Sequence, residues 1–592
     1  MHCEDGAGVY SGAMRSRLFP VILCLPLYGA APAETEPDPV SYQLSAEMAD
    51  GALAGLKVQV RFRADTTGIT NFGWDGGWAG ERKLWQWARN FHVAGATFVQ
   101  QVGDGHWRIM APSGRELTVT YRIISAYDHD PTVEDSEQSK PVIRPDWFYA
   151  VGNALFAFPD GRQAAPAKFD WAGAPGIGFA SDLEHMAGSN RAPLRSGTIS
   201  DILESIVIGG KNLRTFPAAD GSGVRVATLG QFSFEPEQLA HLARQVIAAE
   251  RDFWKSDRGA PFLVTVAPIA ANPGSMSFGG TGRGDGFALW IDQRVPLDRM
   301  KWLLAHEYFH TWNPDRLGTM SEERTSRLAD FWFSEGFTDY YARALMVRAG
   351  LISPADFTAQ WSEALAAYAA SPVRNSPNDE MVSNFWNDEE IQKIPYQRGA
   401  LLAAMWNARL LSSTKGKANL DAILHEQFLA NRLPKGRAVE QFTSLAHRHG
   451  LDIASDHQRY LMRGETITLA TDTFGPCATV ISERRPIFSR GFDANATALA
   501  GNIVTGVDPH LPAYAAGLRN GMKIISRLEG EPDNSLAPYA LLIEDRGKQR
   551  IIKYLPRGSG EVNIQQVKLH PTADKSCPLS LSGANRSSSI AP

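Results

Sequence analysis

A multidomain α+β fold, with a β-rich N-terminal domain, an α-rich middle and a small strand-rich C-terminal domain, is predicted by three changes of pattern along the 592-residue chain. Residues 40 to 215 alternate apolar and polar side chains between Gly, Asp and Pro clusters, as in "LKVQVRFRA" (56–64) and "RELTVTYRI" (115–123), the pattern of antiparallel strands with one wet face. From about 235 the apolar residues recur at three- and four-residue spacing, and beyond 468 short strands return. A chain of this length accommodates about three or four separate cores.

The elements follow in order. Residues 1–33 read as a signal peptide: Arg15 and Arg17 precede the apolar run "LFPVILCLPLY" (18–28), and "AAPA" (30–33) offers small residues for cleavage after Ala33. Export to the periplasm or beyond is the expectation. The run is too short for a membrane span and is interrupted by Pro20 and Pro26. Met14 stands directly before the charged region, so residues 1–13 read as an upstream start chosen wrongly; Leu23 argues against lipid attachment at Cys24. The mature chain then keeps Cys477 and Cys577, either as one disulfide or as two buried thiols.

Residues 34–215 form the β-rich domain. Trp74, Trp78, Trp85 and Trp87 within it read as core and loop aromatics, and Asp128, His129 and Asp130 as a solvated turn before Pro131. Residues 216–467 form the α-rich domain, opening with the helix "EPEQLAHLARQVIAAERDFW" (235–254) and the buried strand "PFLVTVAPIA" (261–270). Residues 468–578 form the last domain, and 579–592 a disordered tail. Hydrophobic residues at 44%, charged residues at 21% and a net charge of −5 fit a globular protein and give no pull toward nucleic acid.

The chemistry concentrates in "WLLAHEYFHTWNPDRLG" (302–318). On a helix His306 and His310 lie one turn apart on the same face, so that both imidazoles can reach one metal ion, with Glu307 beside them. The best candidate for a third ligand is in "FWFSEGFTDYYARAL" (331–345), where Glu335 can complete a two-His, one-Glu zinc site; the alternative is an exposed helix whose acidic residues share that spacing, which the neighbouring Trp332 and Phe333 disfavour. Asp339, one turn later, can accept the outer N–H of a zinc-bound histidine and fix its tautomer.

"HEYFHTWN" followed by "WFSEGFTDYYA" resembles the glycyl aminopeptidase family of zinc metallopeptidases, relatives of aminopeptidase N. The resemblance implies a thermolysin-like catalytic domain over 216–467, one zinc ion per chain, and removal of small N-terminal residues from peptides. It also implies a C-terminal PDZ domain. "VDPHLPAYAAGLRNGMKIISRLEG" (507–530) is similar to the helix and Gly-Leu-x-x-Gly turn of PDZ domains, with a peptide C-terminus or this chain's own segments as the ligand. "IPYQRGALLAAMW" (394–406) is similar to the segment whose tyrosine stabilises the oxyanion, which maps that role onto Tyr396; the alternative is that Tyr396 caps the helix start. Such a phenol donates a hydrogen bond to developing negative charge without carrying charge of its own.

One segment departs from the family. Where members carry a Gly-Gly-Leu-Glu-His type stretch whose acid binds the free α-amine, this chain has "FGGTGRGDGFALWI" (278–291), keeping Gly279 and Gly280 only. A "LEH" at 183–185 reads as coincidence. Asp285 is the one acid in the glycine-rich stretch, so it is the candidate anchor for the amine, with "FALWI" offering a strand edge to the peptide. The other possibility is an open groove. Three functions therefore stand: an aminopeptidase, an endopeptidase or dipeptide-releasing enzyme, and a PDZ-bearing binding protein with an inactive peptidase domain.

Overall fold

The computed structural model describes residues 39–571 and 579, apart from 75–76, 78–80, 133–134, 136–138, 188–196, 219–220, 271–276, 432–435 and 531–533. The expected signal segment, Trp78, Cys577 and the tail beyond Leu579 lie outside the described residues.

The alternating stretches become sheets. Val40–Ala49 and Ala52–Arg63 form an antiparallel hairpin inside a six-stranded sheet, and the second strand pairs with Glu116–Ile123. Leu56, Val58, Val60, Leu117, Val119 and Tyr121 face the core, as a period of two requires. Trp74 and Trp87 are buried in this core and Trp85 packs against it. His129 sits in an exposed turn between Asp128 and Asp135.

The middle of the chain is organised around a five-stranded sheet in the order Arg214–Phe216, Val224–Thr228, Phe262–Ile269, Gly286–Asp292, Phe278–Arg283. Three of its strands are parallel. Parallel neighbours need a long crossover, and the helix Pro236–Trp254 supplies it, opened by a capping box between Glu235 and Gln238. The sheet is covered on both faces, which explains its nearly continuous apolar strands. Val264, Val266, Phe287, Leu289 and Ile291 point into the helices. Leu263, Ala267, Ala288 and Trp290 point into the β-rich region, where the Trp290 ring meets Tyr149 edge-on at 4.6 Å.

One expectation is overturned by this order. "FALWI" belongs to Gly286–Asp292, an inner strand paired on both sides and buried throughout. The free edge is Phe278–Arg283, which carries Gly279 and Gly280.

Helices follow to about residue 460 and close over the sheet. Beyond them Ala478–Phe488 and Arg557–Leu569 pair as a long antiparallel ribbon. The base of this ribbon, with Ala478, Val480 and Val567, is part of the helical core, and Val567 N–H donates to Ser362 Oγ at 3.0 Å. Between the two ribbon strands, Lys523–Glu529, Tyr539–Asp545 and Lys548–Tyr554 form a small sheet around Val504, Leu518, Met522, Leu541 and Ile543. Cys477 is buried and disulfide-bonded. Among the described residues no helix is long and apolar enough to cross a membrane.

Candidate metal centre

Three helical pieces build the centre. The first is Leu297–Phe309, which leaves the inner strand Gly286–Asp292 and runs back along the sheet beside the edge strand. His306 lies in its last turn and His310 at its C-cap. His310 Nδ1 faces the carbonyl oxygen of Asn313 at 2.8 Å. That contact puts the proton on Nδ1 and leaves Nε2 as the free donor atom.

The second piece is the π-helical turn Trp332–Gly336, continued by the helix Phe337–Arg348. A π turn inserts one residue into the helical repeat and is a recurrent device at functional sites; here the turn carries Glu335. Asn313 clamps this turn to the motif helix. Fully buried, it places its Nδ2 2.9 Å from Phe333 O and 3.1 Å from Ser334 O.

The third piece is the long helix Glu389–Ser413, which crosses the π turn at a glycine–glycine contact. A Cβ on Gly399 would stand 1.9 Å from Trp332 O, and one on Gly336 2.3 Å from Gly399 Cα. Only hydrogen at both positions permits this approach. It brings Tyr396, one turn earlier, over the His306 ring with centroids 5.8 Å apart. Tyr396 lies inside the helix, so it is not a cap at its start.

The three expected ligands converge. His306 Nε2 and His310 Nε2 are 3.2 Å apart, and each is 3.4 Å from Glu335 Oε2. Ligand atoms around a tetrahedral zinc ion with bonds of about 2.0–2.1 Å are separated by roughly 3.3–3.4 Å, so the donor triangle fits zinc in size and in chemistry. Two imidazole nitrogens and a carboxylate oxygen this close form a cation site.

Asp339 has the expected outer position, with Oδ1 3.4 Å from His306 Nδ1. It is held by two residues that sequence reasoning missed: Trp302 Nε1–H donates to Oδ1 at 3.0 Å and Arg343 Nη1–H to Oδ2 at 2.8 Å. Burial works against its charge, but the Arg343 guanidinium and His306 hold the carboxyl below the usual range. Glu335 behaves alike: burial disfavours its charge, and His310 and His306 overcome this to keep it ionised. Glu307 lacks such compensation, and burial raises its carboxyl above the usual range despite the two histidines. Burial, together with the charges of Glu335 and Glu307, pushes the Tyr396 phenol well up, so it remains a hydrogen-bond donor.

The sheet side is arranged differently. Gly279 and Gly280 lie on the free edge strand. Asp285 follows Gly284 in the turn after it; Gly284 has a φ of 48° and packs against Asp182 and Glu204 of the β-rich region. Asp285 acts electrostatically on Asp182 and is not part of the His306–His310–Glu335 group. Glu184, in the "LEH" stretch, pairs with Arg225.

A ligand triangle of zinc dimensions, a neighbouring carboxylate and a phenol over the site are the parts a zinc metallopeptidase needs. Residues 299–401 match the family model described as M61 glycyl aminopeptidase, so the resemblance read from the motifs of the catalytic region is borne out. No curated protein matches the chain in sequence. Among solved structures, an aminopeptidase N family protein from Idiomarina loihiensis shares the fold at TM-score 0.63 and 15% identity, over 90% of this chain and 98% of that one. An M1 zinc metallopeptidase from Deinococcus radiodurans is similar at TM-score 0.44 and 14% identity, over 73% of this chain and 95% of that one.

Proposed function

We propose that the protein is an exported aminopeptidase that holds one zinc ion per chain on His306, His310 and Glu335 and removes the first residue from peptides with a free N-terminus. The observation that carries this reading is the ligand triangle with Glu307 and Tyr396 beside it. Zinc, when bound, acidifies a water molecule and polarises the scissile carbonyl. Glu307 would be the base that takes the proton of that water and returns it to the leaving amine. Tyr396 donates its O–H to the carbonyl oxygen as charge develops there. Asp339, fixed by Trp302 and Arg343, holds the tautomer and orientation of His306.

In this reading the peptide backbone lies along the free edge strand Phe278–Arg283, where Gly279 and Gly280 allow close approach. Asp285 is proposed to receive the α-amine. The division at 215, 467 and 578, the PDZ-like nature of the small C-terminal sheet and the export of the chain complete the proposal. Mass spectrometry of a mixed peptide library after incubation tests it. Loss of single residues from free N-termini and not from acetylated ones is expected, and Asp285→Asn should weaken the free-amine peptides much more than the acetylated ones. Cleavage inside acetylated chains, with equal effects of Asp285→Asn on both, would identify an endopeptidase instead.

A further inference from the structure

We propose that the cavity beside the metal centre binds a large apolar side chain, aromatic or long aliphatic, of the substrate residue whose carbonyl is attacked. The inference rests on the peptidase reading for the identity of its occupant, and it goes beyond the small N-terminal residue that the family resemblance implies.

The cavity has a volume of about 730 Å³, within the roughly 300–1,000 Å³ of small-ligand pockets. Six aromatic side chains line it: Trp302, Phe331, Trp361, Phe385, Trp386 and Tyr396. Room is made by alanines, Ala364 and Ala367 on the helix Pro354–Ala370 and Ala400 on the crossing helix. Asp339 and Arg343 also reach the lining, but they are bonded to each other at 2.8 Å, and the guanidinium lies over the Trp361 ring at 5.6 Å. The Asp339 and Arg343 charges on this wall are therefore matched to each other within the protein. At the mouth, Glu389 and Lys393 carry opposite signs, and Trp386 is 59% exposed.

Tyr396 connects this cavity to the chemistry. Its ring is a wall of the cavity and lies over His306, while its hydroxyl faces Glu335. The residue whose carbonyl accepts that hydroxyl can present its own side chain next to the same ring. A glycine there puts no atom into the cavity, and an alanine only a methyl group, leaving the aromatic walls wet. A phenyl or indole ring covers them, and aromatic side chains bury on the order of 150–250 Å² each. The indole of Trp386 at the mouth has the Arg324 guanidinium over it at 5.1 Å.

Isothermal titration calorimetry on the zinc-loaded, full-length Glu307→Gln protein, which binds without turning over, tests this with L-phenylalaninamide and glycinamide. Phenylalaninamide should bind at least tenfold more tightly. Adding Ala367→Trp, which fills the cavity, should shrink that preference to about threefold or less. Ala364→Trp, one turn away on the same wall, replaces it if circular dichroism shows that the first variant does not fold. Equal binding of the two amides, or a preference that survives a folded cavity-filling variant, would overturn the proposal. Turnover of Phe-Ala-Ala and Gly-Ala-Ala by the wild-type protein is measured in parallel. No turnover of either, with selective binding of phenylalaninamide, would refute the peptidase reading while supporting the cavity's ligand; faster turnover of the glycine peptide would refute the ligand.

Discussion

The metal centre lies between two walls of different construction. The helical wall is specified largely by local spacing: His306 and His310 share one helix face, Glu335 and Asp339 are one turn apart, and the Asn313 clamp, the Trp302–Asp339 hydrogen bond and the Gly336–Gly399 crossing bring the pieces together. The sheet wall is specified by strand order. Phe278–Arg283 has a single neighbour, and the turn that ends it rests on Asp182 and Glu204 of the β-rich region. The ligands and Tyr396 thus stand on the helical wall, and the strand edge proposed for the peptide backbone on the sheet wall. Changes to the ligands and Tyr396 should strike metal content and turnover, and changes to the edge strand the seating of the peptide backbone.

The largest effect should come from Glu307→Gln. Zinc content is retained, because the ligands are untouched, while kcat falls by roughly 10²–10⁴-fold for want of a base. Near-normal turnover would remove Glu307 from the mechanism. Tyr396→Phe should lower kcat by roughly 10²-fold, with KM changing much less, since the phenol is assigned to the oxyanion and not to ground-state binding. A change confined to KM would make Tyr396 only a wall of the pocket.

The third prediction compares the walls directly. A Cβ on Gly399 meets Trp332 O at 1.9 Å, whereas one on Gly282, in the edge strand, meets nothing within 4 Å. Gly399→Ala should therefore cost about 1–3 kcal/mol in denaturant unfolding, and Gly282→Ala less than about 0.5 kcal/mol. The reverse ranking would mean that the helix crossing is slack.

The smallest effect concerns the support of the sheet wall. Burial, with a contribution from Asp285, raises the Asp182 carboxyl to about 7 against the hydrogen bond from Ile206 N–H. Below about pH 4 both folded and unfolded states hold this proton. Between there and about pH 7 the unfolded chain ionises and the folded one resists, so the native state loses stability as pH rises through that window. Asp182→Asn removes the loss, so its Tm should gain on the wild type by roughly 1–3 °C between pH 4 and pH 8. A constant offset across pH would show that Asp182 is not held up.

This division also explains what could be read from the sequence. The ligands, the base and Asp339 were legible because helical spacing is local: four residues make one turn wherever the helix lies. The partners of Asp339 were not, since Trp302 is 37 residues away and meets it only when two helices pack. Asn313 gave one signal, a polar residue between the motif and a proline, but its buried clamp on Phe333 and Ser334 depends on tertiary packing. The Gly336–Gly399 crossing and the aromatic cavity likewise join residues far apart in the chain. Choosing "FALWI" as the edge strand failed because alternation does not distinguish an inner strand from an outer one. The continuous apolar run of Gly286–Asp292, buried on both faces, was the mark of an inner strand, and the glycine-rich run before it was the edge.

The central claim is that His306, His310 and Glu335 together hold the ion on which hydrolysis depends. Zinc per chain, measured by plasma mass spectrometry on dialysed wild-type, Glu307→Gln and Glu335→Ala proteins beside their peptide turnover, tests it most directly. The account predicts about one zinc in the first two, a large loss in Glu335→Ala, and turnover in the wild type alone. Full zinc in a folded Glu335→Ala protein, or turnover that survives its loss, would contradict it.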